Sequence, residues 1–406
     1  MNVLFLSEQL YPHGGGAELA TYLYAKLLSQ NGIKIKVITN RFPGEKDVTR
    51  SGNMEIFRLH LFDRPTALKY SLSLKFPLLF SSFLHRLIRW SDVVYIPLYW
   101  YSAIPLAKAY RKPVVIHLHN YLLSCPLATL YNFAEKSICR KRHLICPTNC
   151  IFSFEKISDR SPKEILLSTM LNSIGKNYIE WLASMGDALI CVSNAQKKLT
   201  MQTCGKIFWR KFHVIYNPIP KIPYVDVNGD DFGYFGGPNI FKGFLVLYQA
   251  MKILNGYKRK GLIVHATKFQ NFPNKEILRN IGFRIYGKLD EFEYENLYKH
   301  IRAVIIPSIW EEPLPYVVAE ALMKGKLLIA SNVGGINEMV NGCSGTFLFE
   351  PNDYEHLCEL IEYVDGLDKQ EIIEMGAKNR ETFSKKFSNE KALMDFVYVL
   401  EKVACH

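Results

Sequence analysis

A chain of 406 residues is longer than one ordinary domain, so two are expected. Its 49% hydrophobic and 22% charged residues exclude a disordered chain, and the net charge of +12 points to anionic small ligands, to anionic lipid, or to a generally basic surface. With no zinc-finger spacing, RNP-like strand or compact basic tail, nucleic acid is not an expected partner.

The chain opens on a buried strand, Val3–Ser7. No basic region precedes it and no cleavage site follows, so the cytoplasm is the expected location and the nine cysteines are expected as thiols. Behind the strand, Tyr11-Pro-His-Gly14-Gly15-Gly16-Ala17-Glu18 leads into a helix. Its glycines allow a backbone to approach a ligand closely, although it is neither a Walker A loop nor G-x-G-x-x-G, and a plain strand-to-helix turn is the alternative. Ile35–Thr39 is the next strand. From Arg64 to Arg89 basic and aromatic residues interleave, either as an amphipathic helix covering the sheet or as a peripheral contact with an anionic inner membrane face. Lys75, Arg86 and Arg89 interrupt the apolar stretch Tyr70–Trp90, which therefore does not read as a membrane span.

Strands at Val93–Pro97 and Val114–His117 follow, the second running into His117-Leu-His119-Asn120-Tyr121. Alternation puts both histidines on one face at the carboxyl end of a parallel strand, where such sheets bind ligands. A sugar-contacting role for His119 is the preferred reading; a core role for His117 and a metal-binding pair are the alternatives. Cys125, Cys139, Cys146 and Cys150 are separated by 13, 6 and 3 residues, without the tight pairs of common zinc sites, and read as reduced thiols or as a structural metal cluster. Leu189–Val192 is the last strand of the first half.

The pattern breaks at Asn217-Pro-Ile-Pro-Lys-Ile-Pro-Tyr-Val-Asp-Val-Asn-Gly-Asp-Asp231, where closely spaced prolines and a polar turn cannot continue a helix or central strand. This linker divides the chain into 1–218, 219–386 and a C-terminal helix in 387–406 that is a candidate to pack back on the first domain. Strands resume at Phe232–Phe235, Leu262–His265, Phe283–Tyr286, Ala303–Ile306, Leu327–Ala330 and Thr346–Phe349. Short apolar runs without alternation indicate strands buried on both faces, so a doubly wound, Rossmann-like parallel α/β sheet is expected twice.

Two motifs in the second half carry chemistry. Phe235-Gly236-Gly237-Pro-Asn-Ile-Phe-Lys242-Gly243 is strand, glycine loop and helix, with Lys242 placed to meet a diphosphate. Glu312-Pro-Leu-Pro-Tyr-Val-Val-Ala-Glu320 places a helix start at Pro315, with Glu312 in the preceding loop, Glu320 inside the helix and Gly325 as the stop. A helix N-terminus between two carboxylates suits a ligand with central phosphate and hydroxyls at both ends. Paired carboxylates also serve glycoside hydrolysis or phosphorolysis.

The combination Phe-Gly-Gly-x4-Lys242-Gly243, Pro307-Ser308, Glu312-x7-Glu320, Gly334-Gly335-x2-Glu338, Gly345 and Pro351 resembles the family 4 retaining glycosyltransferases of the GT-B fold. The N-terminal glycine loop, His119-Asn-Tyr with its following Cys-Pro, Val192-Ser193 and Ile215-Tyr-Asn217-Pro218 agree with it. The resemblance implies two Rossmann-like domains facing a cleft, the first binding an acceptor and the second a nucleoside-diphosphate sugar. It implies that Glu312 binds the donor sugar, Glu320 the ribose hydroxyls, and Lys242 the leaving diphosphate. Amides near Leu314, Tyr316 and Val317, with Gly236 and Gly237, would cradle the donor. Gly14, Gly15 and Gly16 would approach phosphate and acceptor, and His119 the donor sugar. The reaction would be metal-independent transfer, with no cofactor, to a glycan or lipid-linked glycan. A non-catalytic nucleotide-sugar binder is the further alternative.

Overall fold

The computed structural model describes residues 1–61, 79–157, 161–258, 260–270, 272–273 and 275–405. The chain divides into two compact units, Met1–Pro218 with Asn389–His406, and Ile219–Ser388.

The first unit is built on an eight-stranded sheet. Its strands in chain order are β1 (Asn2–Leu6), β2 (Lys34–Asn40), β3 (Val48–Ser51), β4 (Met54–Leu59), β5 (Val93–Ile96), β6 (Val114–Leu118), β9 (Ala188–Cys191) and β10 (Phe212–Val214). A small separate hairpin pairs β7 (Tyr131–Asn132) with β8 (Ser137–Ile138). The spatial order of the large sheet is β10-β9-β6-β5-β1-β2-β4-β3, parallel except for the β3 edge. Alternate residues serve opposite faces. Leu4, Val94 and Ile116 enter one apolar cluster, while Phe5, Tyr95 and Val115 enter another. Both faces being dry explains why these strands carry no polar alternation.

The second of these clusters is closed by the last helix, Asn389–Ala404. Its Phe396 lies 4.6 Å from the Tyr24 ring and 5.1 Å from the Tyr95 ring. Burying a phenylalanine completely contributes roughly 1.5–3 kcal/mol, enough to hold this helix on the first unit's sheet. The chain therefore returns to its first unit after completing the second.

The second unit holds a fully parallel six-stranded sheet of β11 (Asp231–Tyr234), β12 (Val264–Ala266), β13 (Phe283–Ile285), β14 (Ile301–Ile306), β15 (Leu327–Ser331) and β16 (Thr346–Phe349). Its order is β13-β12-β11-β14-β15-β16, with the doubly wound reversal beside β11. The proline-rich stretch after Pro218 is not a free tether. Val225 donates to the Lys324 carbonyl at 3.2 Å, Asn228 to that of Lys299 at 2.9 Å, and the Lys326 ammonium to that of Asp226 at 3.2 Å. Prolines keep the stretch out of the sheet, and these bonds fix it along the second unit.

Candidate functional site

In the second unit, site residues collect at the carboxyl ends of β11, β12 and β14. The helix Tyr316–Met323 is capped by Pro315 and stops before Gly325, as its prolines and glycine dictate. That leaves Glu312 in the loop and Glu320 one turn from the helix end. Glu312 is almost fully buried, and its Oε1 accepts from the Lys242 Nζ and from the Ser308 hydroxyl, each at 2.7 Å. Lys242 stays about a third exposed, and its ammonium sits 5.6 Å from the centre of the Trp310 ring. A buried carboxylate with an ammonium and a hydroxyl on one oxygen is a charge-compensated group, held in one orientation.

Two glycines make this packing possible. Gly243 has φ 73°, and a Cβ there would run into the Pro307 carbonyl, so only glycine lets the Lys242 loop reach the end of β14. Ile309 then donates to the Phe241 carbonyl at 2.9 Å, tying the two loops together. Gly334 has φ 51° and presses on the Glu312 backbone, where a Cβ would collide. Its amide donates to Glu311 Oε2 at 2.6 Å, and the Gly335 amide donates to the Glu312 carbonyl at 2.8 Å. Gly334-Gly335 is thus a support for the glutamate loop.

Glu320 is half-buried and accepts from the Tyr294 hydroxyl at 3.1 Å. Burial pushes its carboxyl up to about 7, although Lys324, the Tyr294 bond and Lys268 pull the other way. Lys268 itself lies against Gly237, 3.3 Å from where a Cβ on that glycine would stand. Burial and the neighbouring Lys242 charge both lower its ammonium's pKa, and Glu320 raises it. Beside it the Thr267 hydroxyl is buried without a hydrogen-bond partner among the described residues. Lys268 and Thr267 were not singled out from sequence. The available signal was their position directly after the apolar run that forms β12, at the ligand end of a parallel strand. Gly236 and Gly237 line the same loop, where the Tyr234 hydroxyl donates to the Gly237 carbonyl at 2.8 Å. Leu314 is buried, while Tyr316 and Val317 are half-buried at the helix start.

In the first unit, the carboxyl ends of β1, β5 and β6 gather a different set. His119 stacks on His117 at 4.3 Å, so both rings do share a face. The His117 Nδ1 is bonded to the Tyr95 hydroxyl at 2.7 Å, and the Nε2 atoms of both histidines are buried without partners among the described residues. Burial pushes His119 down to about 3, so it is a neutral imidazole at any working pH. The Asn120 side chain donates to the Tyr99 hydroxyl at 3.3 Å, and the Tyr99 amide donates to the buried Glu8 carboxylate at 3.2 Å. Gly14, Gly15 and Gly16 lead into the helix Gly16–Gln30, and the Gly15 amide donates to Glu18 Oε2 at 2.7 Å. A phosphate at this loop would have to displace a carboxylate, with Glu8 close by to repel it. Glu8 and Tyr99 are further residues that sequence reading passed over.

Comparison with known proteins gives these two mouths a context. Residues 14–151 match the family described as Glycosyltransferase Family 4, and residues 239–379 match Glycosyl transferases group 1. The chain belongs to the family 4 glycosyltransferases. An uncharacterized 42.6 kDa protein in the cps region of Klebsiella pneumoniae is 26% identical over 361 residues, covering 84% of this chain and 87% of the relative. Sucrose-phosphate synthase from Thermosynechococcus elongatus superposes with a TM-score of 0.72 at 14% identity, covering 100% of this chain and 99% of its own. The Anabaena protein HepE in complex with UDP-glucose superposes with a TM-score of 0.63 at 17% identity over 100% of both chains. The glycosyltransferase therefore has the GT-B fold, with two Rossmann-like domains.

In this glycosyltransferase Cys125, Cys146 and Cys150 pack in one small apolar cluster with Leu127 and Phe133. All four thiols, Cys139 included, are free, and among the described residues no three His, Cys, Asp or Glu side chains form a group able to hold a metal ion. Burial pushes the Cys146 thiol up to about 12, leaving it protonated. Residues 62–78, most of the basic and aromatic segment Arg64–Arg89, lie outside the described residues. The helix Ser82–Trp90 at its end buries Leu84, Leu87 and Ile88 against the first sheet.

Proposed function

We propose that this glycosyltransferase moves a sugar, with retention at the anomeric carbon, from a nucleoside-diphosphate sugar to a hydroxyl of a glycan or lipid-linked glycan. The observation that carries the reading is the placement of Lys242 and Lys268 as neighbouring cations between Glu312 and Glu320. Two ammonium groups flanked by two carboxylates fit a diphosphate with hydroxyl-bearing groups on either side. The UDP-glucose in the HepE complex is a ligand of this form.

In this reading the donor diphosphate draws Lys242 off Glu312 Oε1. Both intramolecular bonds converge on that oxygen, so Oε2 is left to accept from a donor-sugar hydroxyl. Glu320, steadied by Tyr294, accepts from the ribose hydroxyls, and the backbone at Gly236, Gly237, Leu314, Tyr316 and Val317 shapes the space between. The bond from the anomeric carbon to the phosphate oxygen breaks as an oxocarbenium-like state forms. Lys242 and Lys268 stabilise the charge that develops on the leaving diphosphate. The acceptor oxygen bonds to the same face, and its proton passes to the departing phosphate. The two lysines supply the positive charge, so chelators should leave the rate unchanged. In the first unit the neutral His119 offers a hydrogen bond to a sugar hydroxyl, and Gly14–Gly16 with Glu18 receives acceptor hydroxyls.

A thermal-shift panel of nucleotide-sugars, followed by transfer assays and determination of the product's anomeric configuration, tests this. Stabilisation by one donor class and formation of a retained product are expected. Turnover of a simple glycoside without nucleotide would place the glutamates in a hydrolase instead. Donor binding with no transfer to any acceptor would make the chain a binder.

A further inference from the structure

Over its first four turns the helix Pro162–Ser184 turns polar side chains inward and large apolar ones outward. Ser168, Thr169, Ser173 and Lys176 are buried. Leu166, Leu167, Met170, Leu171, Tyr178 and Trp181 are each 48% to 62% exposed. At about 100° per residue these six fall within an arc of roughly 140°, a continuous outer stripe.

Each of these four inward polar groups is hydrogen-bonded. Ser168 donates to Glu155 at 2.6 Å, Thr169 to the Ile165 carbonyl at 2.7 Å, and Ser173 to that of Thr169 at 2.8 Å. The Lys176 ammonium donates to the carbonyls of His143 at 2.9 Å and Thr203 at 3.1 Å. Up to Lys176 the helix is therefore held inside by polar bonds; its buried apolar anchors, Ile179, Leu182 and Ala183, come only in its last turns, and its other large apolar side chains among the described residues lie outside.

The same bonds bring two neighbouring segments alongside. Asn177, at one edge of the stripe, donates to the Leu144 carbonyl at 2.8 Å, setting Leu144 and Ile145 beside it with exposures of 68% and 65%. The chain after Thr203, whose carbonyl accepts from Lys176, runs on to exposed Ile207 and to Trp209, whose indole donates to the Met201 carbonyl at 3.2 Å, with the Lys206 ammonium 5.7 Å from its ring. Charge is concentrated here too. Residues 136–211 contain thirteen Lys and Arg against five Asp and Glu, a net +8 of the chain's +12. Arg140, Lys141, Lys163, Lys206 and Arg210 of this stretch are exposed, Lys163 on the helix itself, and Arg142 pairs with Glu180 of the helix at 3.3 Å.

We infer that this face, the outer side of Pro162–Ser184 with Leu144 and Ile145, lies on an anionic lipid bilayer. An apolar stripe bordered by cations and carrying tyrosine and tryptophan is the composition that an interfacial helix needs. Its apolar chains enter the acyl boundary, its aromatic rings sit at headgroup level, and its cations meet lipid phosphates. Charge complementarity decides between occupants. Two copies meeting through this face would bring like charges together, whereas an anionic headgroup layer neutralises them. Among the described residues no helix is long and apolar enough to cross a membrane, so the contact is with one leaflet.

The test is sedimentation of the full chain with phosphatidylcholine vesicles and with vesicles containing about 30% phosphatidylglycerol, at low and high salt. Binding at least about tenfold stronger to the anionic vesicles, weakened by salt, is expected. A blue shift of tryptophan emission should accompany it. Met170→Glu with Leu171→Glu should reduce binding at least about tenfold with an unchanged melting temperature, since both side chains are exposed. Leu167→Ala with Met170→Ala gives a milder reduction if the acidic pair impairs folding. Absence of binding to anionic vesicles would overturn the inference. So would a dimer in solution that the acidic pair converts to monomer without any change in vesicle binding.

Discussion

The two units of this glycosyltransferase set different charges on one scaffold: ammonium groups paired with carboxylates in the second, carboxylates beside a neutral histidine in the first. In each, the residue two places beyond a parallel strand enters the mouth of the sheet. These are Glu8 after β1 and Asn120 after β6 in the first unit, and Lys268 after β12 and Ser308 after β14 in the second. The second unit's mouth carries two ammonium groups, Lys242 and Lys268, one of them set on a buried glutamate. The first unit's mouth carries Glu8, Glu18 and a neutral His119. The sheet fixes where a ligand can sit, and a few strand-end side chains decide its charge. A diphosphate is favoured at the lysines and opposed at the carboxylates.

The largest test of that contrast is Lys242→Ala. Removing the cation that faces the leaving group should lower kcat by about 10²–10³-fold, because the lost interaction develops with charge in the transition state. It also strips the buried Glu312 of its cation, so Glu312 should be neutralised at the same time in a Lys242→Ala, Glu312→Gln double variant. Steady-state rates for the single and double variants separate the two effects. Lys268→Met comes next in size. It removes the second cation and should weaken donor affinity by roughly tenfold, with a smaller change in kcat, as measured by calorimetric titration of the nucleoside diphosphate. An unchanged affinity would confine the anion site to Lys242.

Much of this was legible in the sequence, for identifiable reasons. Val93–Ile96 and Ala303–Ile306 are buried at every position, so their unbroken apolar runs announced parallel strands. The helix at Tyr316 was readable because proline fixes a start and glycine a stop. Val48–Ser51 was not, because an edge strand exposed at every position has no pattern to show. Its partner Met54–Leu59 fully buries only Met54 and Ile56, and Glu55 and Arg58 interrupt its apolar run. The Lys242–Glu312 bond spans 70 residues and depends on Gly243 and Gly334 letting two loops touch, which no local spacing encodes. Lys268 lacks any glycine motif, and only the sheet order places it beside Lys242.

Burial raises the Glu320 carboxyl to about 7, against the ordinary carboxyl value of 4.5. Between those two values the folded chain holds a proton that the unfolded chain has released. The stability this carboxyl contributes is therefore lost as pH rises through that window, and it becomes charged near neutrality. An ionised carboxylate accepts ribose hydroxyls better than a protonated one, so donor affinity should rise by about three- to tenfold from pH 6 to pH 8. Glu320→Gln should flatten that rise and lift the melting temperature relative to the parent above pH 7. The nucleotide's own phosphate titration appears equally in both proteins, so their difference isolates Glu320.

The smallest expected effect lies in the first unit, and it is informative because it is small. Glu18→Gln keeps a side-chain oxygen to accept from the Gly15 amide, so the helix cap survives and stability should change by less than about 1 kcal/mol. What it removes is one negative charge from the mouth that Glu8 and Tyr99 share. If the first unit receives neutral hydroxyls, the acceptor KM should rise a few-fold, because a carboxylate is the stronger acceptor, while nucleoside-diphosphate affinity stays within about twofold. If Gly14–Gly16 instead held the donor's phosphate, removing the competing carboxylate charge would tighten nucleotide binding. Titrating the parent and Glu18→Gln with the same nucleoside diphosphate thus decides whether the two mouths differ in ligand as they differ in charge.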